Sequence, residues 1–86
     1  MSDYNRGVMA VAAILTTIAE VGPTMPVPRG VVYAGMMSVM GLTFDEYQTA
    51  ELALKGSRLL TVTGDQLLLT DKGRELAAKL EASIAN

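Results

Sequence analysis

The chain has no cysteine, no histidine and no tryptophan. Without cysteine there is no disulfide, no thiolate nucleophile and no zinc finger, and the redox compartment leaves no mark on the sequence. Without histidine the usual general base and the commonest metal ligand are both missing. Aromatic rings are scarce, being limited to Tyr4, Tyr33, Phe44 and Tyr47, which argues against an RNA surface built on stacked bases. The remaining polar groups are scattered carboxylates and hydroxyls with no base–nucleophile pairing and no clustered acidic loop. The expectation is therefore a binding domain with no catalytic residues, no cofactor and no metal site.

A basic excess is lacking as well. Seven Lys and Arg face nine Asp and Glu, giving a net charge of −2 and a pI near 4.9. A free-standing nucleic-acid binder normally carries the opposite balance, because phosphate neutralisation dominates its affinity. Long apolar runs are missing too. The stretch from Val8 to Ala19 is broken only by Thr16 and Thr17, yet it falls short of the roughly 20 residues a bilayer span needs. Asp3 offsets Arg6 before it, and no convincing small-x-small cleavage site follows, so it does not read as a signal peptide. The expectation is a cytoplasmic protein without a membrane partner.

What is present is apolar bulk in a short chain. The 86 residues are 50% hydrophobic with a mean hydropathy of +0.31, which excludes disorder and fits one domain over residues 1–86. A domain of this size hides only about 60–65% of its unfolded surface. The apolar excess therefore points to self-association.

Glycine and proline divide the chain. A first helix over about 3–21 ends at Gly22-Pro23. Tyr4, Val8, Val11, Leu15 and Ile18 share one face of it, but Met9, Ala10, Ala13 and Ile14 are apolar off that face. Such a helix is either central in the domain or packed on a second subunit. A connector with prolines at 23, 26 and 28 follows, and Pro28 suits the first turn of a second helix over about 28–40. Val31, Val32, Ala34, Gly35 and Met36 are its expected packing face. Gly41 can close that helix in the left-handed conformation. Thr43 and Glu46 then form a capping box for a third helix over about 43–56, with Leu42 and Tyr47 as its hydrophobic staple. Tyr47, Ala50 and Leu54 are expected inside. After Gly56 the period changes to that of a short hairpin over about 59–69, with Gly64 at its turn. Thr70 begins a last helix over about 70–85, with Leu76, Leu80 and Ile84 inward.

The predicted fold is mainly α with a small β-hairpin, in the order α-α-α-β-β-α, with a helix-turn-helix at its centre. The stretch Glu46-Tyr-Gln through Leu-Ala-Leu-Lys-Gly-Ser-Arg-Leu-Leu-Thr-Val62 resembles a recognition helix running into a wing strand. Leu67-Leu-Leu-Thr-Asp-Lys-Gly-Arg-Glu-Leu-Ala77 is similar to a wing strand entering a final helix. Together they resemble the winged helix-turn-helix of small MarR-like and PadR-like transcriptional regulators, over about residues 28–80. The resemblance implies double-stranded DNA as a partner, with the third helix in the major groove, and a homodimer through helices 1 and 4. Carried over by position, the nucleic-acid-binding residues are Arg29, Thr43, Gln48, Thr49, Lys55 and Arg58. Gln48 can read an adenine and Thr49 a thymine methyl, whereas Asp45 and Glu51 on the same helix would repel phosphate. Thr63-Gly64-Asp65 at the wing tip lacks the Arg or Lys of DNA-binding members. The alternative is a winged-helix module that binds protein and no nucleic acid. The charge over the third helix and the wing separates the two.

Overall fold

The computed structural model describes residues 3–85, with side chains over residues 6–83. Helix α1 spans Asp3–Val21, followed by a two-residue strand β1 at Val27–Pro28 and helix α2 at Arg29–Met40. Helix α3 covers Phe44–Gly56, strands β2 and β3 cover Leu60–Thr63 and Gln66–Leu69, and helix α4 covers Asp71–Ala85.

Helix α1 is the spine of the domain, packing against α2, α3, α4 and β3. Much of its apolar surround is thus used within one chain, although Val8, Met9 and Val21 stay exposed. Ala10, Ile14, Leu15 and Ile18 are buried, and Val11 and Ala13 pack on them. Full burial of each large aliphatic side chain contributes about 1.5–3 kcal/mol. The buried face is turned from the expected one: Val8 is exposed, and Ile14 takes its place inside. The side chains of Tyr4 and Ile84, expected inward on the first and last helices, lie outside the described residues.

The proline-rich connector does more than link. Val27 and Pro28 pair antiparallel with Leu67 and Gln66, so the hairpin gains a third strand and the sheet order becomes β1-β3-β2. Two residues are too few to show an alternating pattern, which is why this strand was absent from the sequence expectation. Proline is tolerated there because β1 is an edge strand. Pro28 is extended (φ −61°, ψ 135°) and caps α2 from outside, so the helix begins at Arg29. Within α2 only Val32 and Met36 are buried. Val31 and Ala34, expected inside, are exposed, and Tyr33 is half-buried instead.

Gly41 adopts φ 63°, and its N–H closes α2 on the Met37 carbonyl at 3.0 Å. Two residues later both halves of the capping box form. The Glu46 N–H donates to Thr43 Oγ1 at 3.2 Å, and the Thr43 N–H donates to Glu46 Oε1 at 3.0 Å. Leu42 and Tyr47 are both buried in the core beneath the turn. Helix α3 also buries Ala50 and Leu54, as its spacing requires. In the hairpin, Gly64 takes the positive φ of the two-residue turn (62°).

The junction into α4 explains the Leu-Thr-x-x-Gly pattern. The Thr70 N–H donates to the Leu59 carbonyl (3.1 Å) and its hydroxyl to the Arg58 carbonyl (2.7 Å), while the Gly73 N–H donates to that hydroxyl (3.0 Å). Helix α4 therefore starts pressed against the turn that leads from α3 into β2. A Cβ at Gly73 would overlap the Leu59 carbonyl oxygen. This mainly helical chain with its small antiparallel sheet has the winged-helix architecture. No described helix is long and apolar enough to cross a membrane.

Candidate nucleic-acid interface

Helix α3 presents its outer surface through Phe44, Asp45, Gln48, Thr49, Leu52, Ala53 and Lys55, all exposed. Of the residues expected to face a nucleic acid, Gln48, Thr49 and Lys55 stand here. Arg58 is exposed just beyond the helix end, in a left-handed conformation (φ 62°) unusual for a side-chain-bearing residue. Its N–H donates to the Lys55 carbonyl at 3.1 Å, so the turn holds Lys55 and Arg58 together. Lys72, from the first turn of α4, donates to the Ser57 carbonyl at 3.3 Å and joins the same cluster. Among the described residues none of these three bases has a carboxylate partner within ion-pair distance. They form a basic end to an otherwise uncharged helix surface, interrupted by Asp45.

Arg29 and Thr43 occupy different positions from the rest. Arg29 grips Glu51 with two hydrogen bonds, Nε to Oε1 and Nη2 to Oε2, each 2.9 Å. The Tyr47 hydroxyl donates to the same Oε1 at 3.0 Å. Glu51, expected outward, is only 6% exposed. It turns inward because Arg29 and Tyr47 satisfy both of its oxygens, which a lone buried carboxylate would require. The hydrogen bond to Glu51 raises the Arg29 pKa further, against a smaller opposing effect of burial. Burial, reinforced by the Glu51 charge, raises that of Tyr47. The network bolts the start of α2 to the middle of α3, and its arginine is committed. Thr43 has its hydroxyl engaged in the cap of α3.

A second ion pair was not foreseen from the sequence. Arg6 on α1 pairs through Nε with Glu46 Oε2, and its Nη2 donates to Glu46 Oε1 at 3.1 Å. The same Nη2 reaches the Gly41 carbonyl at 3.2 Å and the Met40 carbonyl at 3.4 Å. One guanidinium thus caps the C-terminus of α2, where cations are favoured, and holds the N-terminus of α3. Chiefly through the Arg6 hydrogen bond, the Glu46 carboxyl is lowered from 4.5 to about 2. Two of the three acids of α3 are therefore neutralised by structural arginines, and only Asp45 remains as an open negative charge on its outer surface.

The wing is short and tied back. Asp65 follows Gly64 at its tip, and the Asp65 carbonyl accepts from the Arg29 N–H at 2.7 Å. Among the described residues the Asp65 carboxylate accepts one hydrogen bond, from the Gln66 amide, at 3.2 Å. Sequence reasoning also missed two exposed apolar residues on α3, Phe44 and Leu52, the latter 59% exposed. Leu52 sits half a turn of the wheel away from Tyr47 and Leu54, so the helical period held the signal. Phe44 packs edge-on against Tyr33, with ring centroids 5.7 Å apart. Among the described residues no group of three acids could hold a metal ion.

Neither a family model nor a curated protein sequence matches this chain. Among solved structures it is similar to the crystal structure of SSV1 F-93, with a TM-score of 0.72 over 88% of this chain and 86% of that one, at 18% identity. The domain is a winged helix. At that identity the likeness speaks to the fold alone.

Proposed function

We propose that this winged helix is a transcriptional regulator that binds double-stranded DNA as a homodimer, placing the outer surface of α3 in the major groove. The observation that carries this reading is the sorting of charge by the fold. Glu46 and Glu51 are consumed by Arg6 and Arg29, while Lys55, Arg58 and Lys72 are left without acidic partners at one end of α3. Each pair removes one base with one acid and leaves the net charge at −2, but a phosphate at this end of α3 meets fewer open carboxylates than the sequence of the helix suggests. Gln48 and Thr49 are the base-reading candidates and the three bases are the phosphate contacts. The short acidic wing plays little part. The resemblance to MarR-like and PadR-like regulators supports the same reading, and on it the domain binds and does not catalyse.

Dimerisation through α1 and α4 is supported by the outer side of α1. Met9 is exposed there, and the Thr16 hydroxyl turns back on its own helix, donating to the Ala12 and Ala13 carbonyls at 3.1 Å. Helix α4 contributes exposed Ala78 and Ala82. A second reading, a protein-binding module, is favoured by exposed Phe44 and Leu52 on α3.

Titration of random-sequence duplex at about 10 mM salt tests the proposal, since electrostatic affinity is strongest there. Saturable binding supports it. No binding at that salt overturns it in favour of the protein-binding module. Sedimentation equilibrium tests the dimer, which a strict monomer at high concentration would contradict.

A further inference from the structure

A groove of about 770 Å³ separates the first half of α1 from the outer flank of α3. Val8 and Val11 line it from α1, Leu42 from the turn, and Ala50 and Ala53 from α3. The volume lies within the roughly 300–1,000 Å³ typical of small-molecule sites, which are likewise mostly apolar with a few polar groups. The small side chains of Ala50 and Ala53 are what keep it open.

Its polar lining is confined to Arg6, Asp45, Glu46 and Thr49. Arg6 and Glu46 neutralise one another, and the same guanidinium is further engaged by the Met40 and Gly41 carbonyls. Thr49 is uncharged. Asp45 is exposed, and among the described residues no hydrogen bond or ion pair engages its carboxylate. An anion entering the groove would find its arginine already committed and an open carboxylate facing it. A cation would find apolar walls and an unneutralised negative charge.

We propose that this groove is a binding site for a small lipophilic cation, its apolar body against Val8, Val11 and Ala53 and its charge beside Asp45. The site lies away from the basic end of α3 but shares Thr49 with the surface proposed for DNA, so its occupancy is tested on the DNA-free protein.

Tetraphenylphosphonium and tetraphenylborate have nearly the same shape and opposite charge, so titrating each into the DNA-free protein separates charge from shape. Amide and methyl NMR shifts locate the binding. The expected result is saturable phosphonium binding at one equivalent per chain, with shifts centred on Val8, Val11 and Ala53. The borate should bind about tenfold more weakly or less, the scale of one partly solvated charge–charge contact. Asp45→Asn should remove most of that preference. Ala53→Met, a solvent-exposed change that fills the groove, should abolish binding while leaving the amide spectrum otherwise folded. Equal binding of both ions would overturn the proposal in favour of a neutral apolar ligand. Absence of phosphonium shifts in the groove would overturn it too, as when a second copy of the chain covers this surface.

Discussion

Gly73 has no side chain because the Leu59 carbonyl already stands where a Cβ would be. The clash is with backbone held in place by Thr70, so neither partner can step aside cheaply. Gly73→Ala is expected to destabilise the domain by about 3 kcal/mol, at the upper end of overpacking effects. Urea denaturation checks this, as a lower midpoint with an unchanged slope. Arg29 makes a comparable case. Arg29→Ala would leave the buried Glu51 carboxylate with only the Tyr47 hydroxyl, and breaking a buried pair costs about 3–5 kcal/mol. Because the arginine side chain is itself one-third exposed, a loss nearer 2–3 kcal/mol is expected. Tyr47→Phe, which removes one neutral donor, should cost about 1 kcal/mol by the same measurement. The inward turn of Glu51 was not legible in the sequence, because its partner lies 22 positions away. A carboxylate at a helical position reads as solvated until a distant base is seen to reach it.

At the scale of elements, the helix-turn-helix is held from outside as well as by its own caps. The Thr43–Glu46 box was readable because both partners lie within one turn and the residue types are specific. Its third member, Arg6, comes from 40 positions away and carried no local signal. The contribution of this contact should depend on pH in a definite direction. Folding lowers the Glu46 carboxyl from 4.5 to about 2. The unfolded chain therefore binds the proton more readily, and the stabilisation is complete above about pH 4.5 and lost as pH falls toward 2. Thermal melts should show wild type more stable than Glu46→Gln at pH 7, with the difference shrinking below pH 4.5. A difference independent of pH would mean that the carboxylate charge is not what the latch uses. The four helices and the hairpin were legible from glycine and proline punctuation and from hydrophobic period. The strand β1 was not, since two residues carry no period and only the pairing with β3 defines them. The buried side of α2 was blurred for a different reason: Gly30–Met40 contains no charged residue, so polarity could not mark its outside.

At the scale of the whole molecule, net charge proved a poor guide to local charge. The Arg6–Glu46 and Arg29–Glu51 pairs leave the −2 of the sequence unchanged, but they redistribute it, closing two acids of α3 and leaving Asp45 open. At the C-terminal end of α3, the adjoining turn and the first turn of α4, a basic end is made by Lys55, Arg58 and Lys72. Lys55 and Arg58 were among the nucleic-acid-binding residues expected from the resemblance, while Arg29 has been drawn into a structural ion pair. The most direct test of the DNA reading is the salt dependence of duplex binding for wild type and for the triple variant Lys55→Ala, Arg58→Ala, Lys72→Ala. Fluorescence anisotropy from about 10 to 200 mM salt is sufficient. Each phosphate neutralised contributes about 0.9 to the slope of log K against log salt, so removing three bases should flatten it by about 2.7 per chain and weaken binding at every salt. A triple variant that binds duplex with the wild-type slope, or a wild-type protein that fails to bind at the lowest salt, would contradict the account.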